Sequence, residues 1–441
     1  MLSTLPSVTF DVTSETGWLQ QVVVHTPGDE MGHVAPARRE ELLFEDILYI
    51  ETAQREHALM CAVFDKVTGR PDGVLQMRTL LYQAFEAEAA RHHFVEHLAA
   101  VMPARNLQAF EANLKAFSPD ELARFALTGD APMQINAAPL PNLMFTRDVS
   151  CVVGQHFILS HPATAARARE NLIMQTVLSH HPSFAEHQDR IIRLPQGVTF
   201  EGGDLLVVNE RVVLIGCSER TSFGGVTQVA QALLARTAVE HVVMVDLPKQ
   251  RSCMHLDTIF TFAAPDTCVV YPPIIASEGQ GNVVSFSRPD GKTRLQCDIH
   301  VSLQAALEAL LGHSLTFIPC GGGRLLDQQR EQWTDGANFF AVAPGVVIGY
   351  ERNSLTFDQM RDHGFRVMTA EGFLGYYAAS PFTPGERVAI KLEGHELSRG
   401  RGGPRCMTMP LARLPMADLS AKGLPVKGLP VKGLPVKGLP V

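Results

Sequence analysis

The residues able to do chemistry in this chain gather in four short stretches. The first is Arg399-Gly400-Arg401-Gly402-Gly403-Pro404-Arg405-Cys406-Met407-Thr408-Met409-Pro410. Its glycines and proline make a turn whose backbone can come close to a ligand. Cys406 stands at the mouth of an apolar run, Met407 to Leu411, that reads as a buried strand. Arg399, Arg401 and Arg405 are expected to surround the sulfur with positive charge, favouring thiolate and marking Cys406 as a candidate nucleophile. The competing reading is a structural thiol in the core. Three arginines so near in sequence weigh against it, because an apolar core would leave them unpaired.

The other stretches are Pro141-Asn142-Leu143-Met144-Phe145-Thr146-Arg147-Asp148; Phe200-Glu201-Gly202-Gly203-Asp204, continuing to Cys217-Ser218-Glu219-Arg220-Thr221; and Met254-His255-Leu256-Asp257-Thr258. His255 and Asp257, two apart, would share one face of a strand. An imidazole there can give or take a proton near neutral pH, although a lone His-x-Asp is more often a chance pattern. Asp148, Glu201, Asp204 and Asp257 are harder to dismiss, since each sits beside an apolar strand rather than on a charged helix face. Converging carboxylates need a cation. No zinc or EF-hand spacing is present, so neither metal nor cofactor is expected. An organic cation is the better candidate, and a guanidinium suits paired carboxylates by planar, bidentate hydrogen bonding.

The elements that must position these groups repeat. Val149 to Val153, a Gly-Gln turn and Phe157 to Leu159 form one hairpin pattern. Leu205 to Val208 with Val212 to Ile215, Thr258 to Phe262 with Cys268 to Tyr271, and Phe339 to Val342 with Val346 to Ile348 form three more. Helix-forming stretches such as Ala163 to Leu178 and Gly225 to Leu234 lie between them. Self-similarity at this spacing implies repeated α/β units around one core. A fifth unit could pair the N-terminal strand, Leu19 to His25, with the one after Cys406. A polar residue precedes each first strand, so these residues could face a common centre.

Two segments break the repeat. Leu80 to Leu127 lacks strand alternation and reads as three or four inserted helices. One starts at the capping box Ser118-Pro119-Asp120-Glu121 and ends at Gly129. From Lys422 the pentapeptide Lys-Gly-Leu-Pro-Val repeats four times to Val441, and proline at every fifth position forbids helix or central strand. It reads as an extended, disordered tail.

Composition bounds the partners. The chain has 441 residues, 46% of them hydrophobic and 19% charged, with a net charge of −8, which discourages binding to nucleic acid or anionic membrane. Eight cysteines without paired spacing suggest a reducing compartment. Neither a signal peptide nor a spanning segment is seen, so a cytoplasmic protein is expected, with a homo-oligomer as its assembly.

Together the motifs identify a resemblance. From Leu19-Gln20-Gln21-Val22-Val23-Val24-His25-Thr26-Pro27-Gly28 to Pro410, and including Arg330-Glu331-Gln332-Trp333, the chain resembles arginine deiminases of the guanidine-modifying (pentein) superfamily. The resemblance implies a five-fold pseudosymmetric α/β propeller over residues 1–419, with a helical subdomain at about 80–131; the tail at 420–441 is foreign to it. It implies hydrolysis of free L-arginine to L-citrulline and ammonia, in arginine catabolism. Cys406 would attack the guanidinium carbon, leaving a covalent thiouronium, and His255 would act as acid and base. Asp148 and Asp257 would clamp the guanidinium, with Glu201 beside His255. Asn142, Arg167 and Arg220 would hold the substrate carboxylate, Phe145 its aliphatic stem, and Arg401 would close the site. Asp204 is counted with the binding residues. The chain departs from the pattern at Gly372 to Ile390, an extra segment with Phe373, Tyr376, Tyr377 and Phe382, expected to lie beside the Cys406 loop. An amidinotransferase of the same fold, or a non-catalytic arginine-binding protein, are the alternatives.

Overall fold

The structure is a computed structural model that describes residues 5–102, 107–133, 135, 137–275, 282–288 and 294–415. The tail therefore lies outside the described residues. Hairpins form where turn residues interrupt short, continuous apolar runs that are buried on both faces, and each is followed by a helix that returns the chain to a parallel third strand. Ser150–Val153 pairs antiparallel with His156–Leu159, helix Ala168–His180 follows, and Ile191–Ile192 adds parallel. Leu205–Val207, Val212–Cys217 and His241–Asp246 repeat this around helix Phe223–Arg236, and Val283–Ser287 and Gln296–His300 extend that sheet. Phe260–Ala264, Thr267–Val270 and Thr316–Pro319 make a third unit. Phe340–Ala343, Val346–Tyr350, Val388–Leu392 and Arg366–Thr369 make a fourth.

The fifth sheet joins the two ends of the chain. Trp18–Val24 lies antiparallel to Met409–Leu414 and parallel to Val74–Gln76, with helix Ile50–Thr68 as its connection. Five sheets among the described residues thus repeat one ββαβ pattern, the α/β propeller expected from the sequence. Right-handed returns through a helix are the usual way to place strands parallel in one sheet.

Four helices fill the insertion: Met77–Phe85, Glu88–Val101, Leu107–Lys115 and Pro119–Thr128. The capping box is present, with Ser118 Oγ accepting from the Glu121 N–H and Glu121 accepting from the Ser118 N–H. Gly129 ends the helix at φ 74, where an added Cβ would also strike the Ala137 carbonyl. These helices have no separate core. Leu80, Leu81, Phe85, Phe94 and Phe125 join Leu172, Ile173 and Val177 of the first unit in one apolar cluster. No helix among the described residues is long and apolar enough to cross a membrane.

The segment after Glu371 lies elsewhere than expected. Ala370–Tyr376 is a helix against Ile50–Thr68, and Phe382 packs edge-on to Trp18 and against Phe373 and Tyr377. Its aromatic residues seal the outer seam between the fourth and fifth units, and none of them lines the Cys406 cavity. Their own apolar surface drives that burial.

Candidate active site

Asp148, Glu201 and His255, expected from the sequence to be catalytic, each stand in a loop just before a hairpin. Asp148 belongs to the turn Thr146–Val149, immediately before the first hairpin. Glu201 precedes the turn Gly202–Asp204, and His255 precedes the turn Leu256–Thr258. His255 and Asp257 are therefore not on a strand, contrary to the spacing argument, because the strand begins only at Phe260. Gly203 allows the loops to meet, since a Cβ there would lie 2.7 Å from Asp148 Oδ1 and 2.8 Å from the His255 ring.

His255 Nε2 and Glu201 Oε2 are 2.9 Å apart, and His255 Nδ1 is 3.6 Å from Asp148 Oδ1. Burial alone would lower the imidazole pKa. Asp148, the Glu201 hydrogen bond and Asp204 outweigh it and raise it to about 9. Burial pushes Glu201 upward, but the His255 hydrogen bond and Arg167 hold it below its ordinary range. The pair is thus an imidazolium and a carboxylate at neutral pH.

Cys406 Sγ lies 3.8 Å from Asp257 Oδ2. The surrounding charge is the reverse of that expected. Arg399 is drawn outward to Asp46 and Glu396, Arg405 is consumed by Glu15 and Asp257, and Arg401 stacks on Trp333 at 3.6 Å. Burial, then Asp257, Asp148 and Asp335, push the thiol well above its ordinary pKa.

Beneath the sulfur runs a buried column of charge missed at the sequence level. Arg405 binds Glu15 through Nε at 3.0 Å and Nη2 at 3.1 Å, and Asp257 through Nη1 at 2.8 Å. Burial opposes the charge on Glu15, but Arg405 and Arg147 overcome it and set its pKa at about 2. A full core thus buries arginines in pairs, which the argument from apolar surroundings overlooked. Glu15→Ala is expected to destabilise the fold by about 3–5 kcal/mol by leaving Arg405 short of a partner. Urea denaturation checks this, and a loss under about 1 kcal/mol would contradict it.

The cavity is lined by Asn142, Phe145, Asp148, Arg167, Arg220 and His255, with Cys406 at its base and Leu43, Arg251, Gly400 and Arg401 over it. Its volume is about 20 Å³, room for about one water. The conformation is closed, and a substrate requires the cover to move. Asp148, Glu201 and His255 also have metal-ligating spacing. A metal there would have to displace the imidazolium and the Arg167 guanidinium that already neutralise both acids.

The arginine deiminase family profile matches residues 111–413. The chain belongs to that family. It is 34% identical to the arginine deiminase of Bacillus cereus strain B4264, covering 91% of this chain and 98% of that one. It is 33% identical to that of Listeria monocytogenes serovar 1/2a, covering 91% and 97%. Among solved structures, an amidinotransferase of saxitoxin biosynthesis from Microseira wollei shares the fold at 14% identity and a TM-score of 0.52, over 92% of this chain and 97% of that one.

The family expectations for the binding residues meet this geometry unevenly. Arg220 lines the cavity and its Nε has no hydrogen-bond partner; the nearest acids, Glu219 and Glu201, are 3.6 and 3.8 Å from its guanidinium. Arg401 leaves Nε and Nη1 equally free. Arg167 is different. Its Nε donates to Glu170 at 2.8 Å, Nη1 to Asp148 at 2.5 Å, and Nη2 to the carbonyls of Asn142 and Phe145. With its donors engaged, it orders Asp148 in this closed state rather than offering itself to a carboxylate. Asn142 donates to the Leu42 carbonyl at 2.5 Å, and the Phe145 ring packs where a Cβ on Gly402 would fall. Asp204 is fully buried and does not line the cavity. It accepts from Ser218 Oγ and the Leu256 N–H, bolting the second unit to the third beneath His255. Arg251, not singled out from sequence, reaches over the site to Glu45 at 2.6 Å and to the Leu43 carbonyl at 3.0 Å.

Proposed function

We propose that the chain hydrolyses free L-arginine to L-citrulline and ammonia. One observation supports this most directly. Asp148 Oδ1 and Asp257 Oδ1, near the thiol, are buried acceptors without hydrogen-bond partners, whereas Arg220 Nε and Arg401 Nε and Nη1 are buried donors without them. Free acceptors near the nucleophile and free donors elsewhere in the site suit a molecule with a cationic tail and an anionic head.

In this mechanism Asp148 and Asp257 bind the guanidinium and hold its carbon against Cys406 Sγ. The S–C bond forms, and the C–N bond to one terminal nitrogen breaks as His255 gives its proton to the departing ammonia. The neutral imidazole then takes a proton from water. The hydroxide so formed attacks the thiouronium carbon, and the S–C bond breaks to return the thiolate and citrulline as the remaining hydroxyl proton passes to solvent. Glu201 stabilises the imidazolium at the start and the end of the cycle. Incubation with L-arginine should yield equal citrulline and ammonia. Ornithine in place of citrulline and ammonia, with the amidino group found on an added amine, would make it an amidinotransferase.

Arg220→Ala should lower kcat/KM for arginine by about 10²–10³-fold and leave the slow turnover of agmatine nearly unchanged, because agmatine lacks the carboxylate. Equal turnover of agmatine and arginine by the parent enzyme would defeat the assignment. We further propose a cytoplasmic homo-oligomer with residues 1–419 as its catalytic unit, for which the net charge of −8 disfavours nucleic acid and anionic membrane as partners.

A further inference from the structure

The nucleophile loop is held by a side chain to which neither the motifs nor the family match gives a part. Asn338 is fully buried in the connection between helix Leu325–Trp333 and strand Phe340–Ala343. Its Oδ1 accepts from the main-chain N–H of Arg405 at 3.1 Å and of Cys406 at 3.2 Å. Its Nδ2 donates to the carbonyl of Asp257 at 2.9 Å. The orientation of this amide is not arbitrary. Two backbone donors converge on one end and a carbonyl faces the other, so the first must be oxygen and the second nitrogen.

The surrounding turn is shaped to bring Asn338 there. Asp335 takes a left-handed backbone at φ 62, and its carbonyl accepts from the Asn338 N–H at 3.0 Å. On the opposite side, Gly403 lies so close that a Cβ would stand 2.6 Å from Asn338 Oδ1 and 2.9 Å from its carbonyl oxygen. The loop therefore rests its bare backbone on this one side chain.

We infer that Asn338 is the positioning residue of the covalent step, fixing the main chain of Cys406 to that of Asp257 and so setting where the sulfur stands against the bound guanidinium. The inference rests on Cys406 being the nucleophile. Arg405 Nη1 holds the Asp257 carboxylate from the same loop, so Asp257 is gripped at its backbone by Asn338 and at its side chain by Arg405.

Two variants test this. Asn338→Ala removes all three bonds and should lower kcat for arginine by about 10²-fold while KM changes by less than about threefold, with slower adduct formation in rapid-quench measurements. Asn338→Asp keeps the shape. Ionised, it has no donor for the Asp257 carbonyl and adds a negative charge beside the thiol; protonated, it carries one O–H and one acceptor, as the amide does. Its kcat should therefore be depressed already near neutral pH, below the alkaline limb that the parent owes to His255, and recover towards that of the parent as the pH falls. Parental kcat per folded molecule in Asn338→Ala, or a parental pH profile in Asn338→Asp, would overturn the inference. So would a loss confined to thermal stability. A parent that makes no citrulline would instead remove the assigned reaction itself, which separates the two failures.

Discussion

Replacing Cys406 with alanine should remove at least about 10⁴-fold of arginine turnover, because the proposed covalent adduct forms on its sulfur. The parent thiol should meanwhile prove unreactive in the free enzyme. Burial and the acids Asp257, Asp148 and Asp335 hold it protonated far above neutrality. A guanidinium settling between Asp148 and Asp257 neutralises the charges that oppose the thiolate, so the substrate cation activates its own nucleophile. Iodoacetamide should alkylate Cys406 slowly at pH 7, and faster in the presence of a small unreactive alkylguanidinium. A rate already at its plateau at pH 7 without the cation would show a preformed thiolate and end this account. Because the thiol proton leaves as the cation binds and His255 is already protonated, binding should also release a proton to the buffer.

His255→Gln should cost about 10²–10⁴-fold in kcat, since the departing ammonia loses its proton donor and the water its base. Stability gives a second reading. The folded imidazole pKa, raised to about 9, means that the stabilisation it supplies is complete below the unfolded value of 6.5 and is lost as the pH rises through 9. The melting temperature of the parent should therefore exceed that of His255→Gln most clearly near pH 6, with the gap closing towards pH 10. A gap that widens with pH would mean that His255 is buried neutral. The same titration should set the alkaline limb of kcat/KM.

The hairpin units were legible because paired apolar runs separated by tight turns are local signals. The pairing of the first strand with the last followed from needing a fifth unit. The Ser118 box and Gly129 likewise act within a few residues. What failed was charge. Arg399, Arg401 and Arg405 are close in sequence, yet their side chains diverge to Asp46, Trp333 and Glu15, partners far along the chain. Nearness along a chain says little about which charges share a dielectric environment. Arg167 and Glu170 are one helical step apart and pair in this closed state, a local contact that spacing permits. His255 and Asp257 share a site because a tight turn, not a strand, presents them. Asn338 carries no sequence signal, as an amide beside a glycine-rich turn is commonplace.

The sheet shared by the two chain ends has a consequence for biosynthesis. Trp18 is made long before its register partner Leu414. Until Met409–Leu414 emerges, Trp18–Val24 keeps an open, apolar edge, and the Glu15 carboxylate waits for Arg405. Four units can assemble as they appear, whereas closure must await Met409–Leu414 and then form contacts of very long sequence separation. During translation the nascent protein thus carries an unpaired strand of the kind that recruits other chains. Premature termination anywhere before Leu414 would leave that edge permanently exposed, so a truncated product should be an aggregation hazard rather than a weakened enzyme.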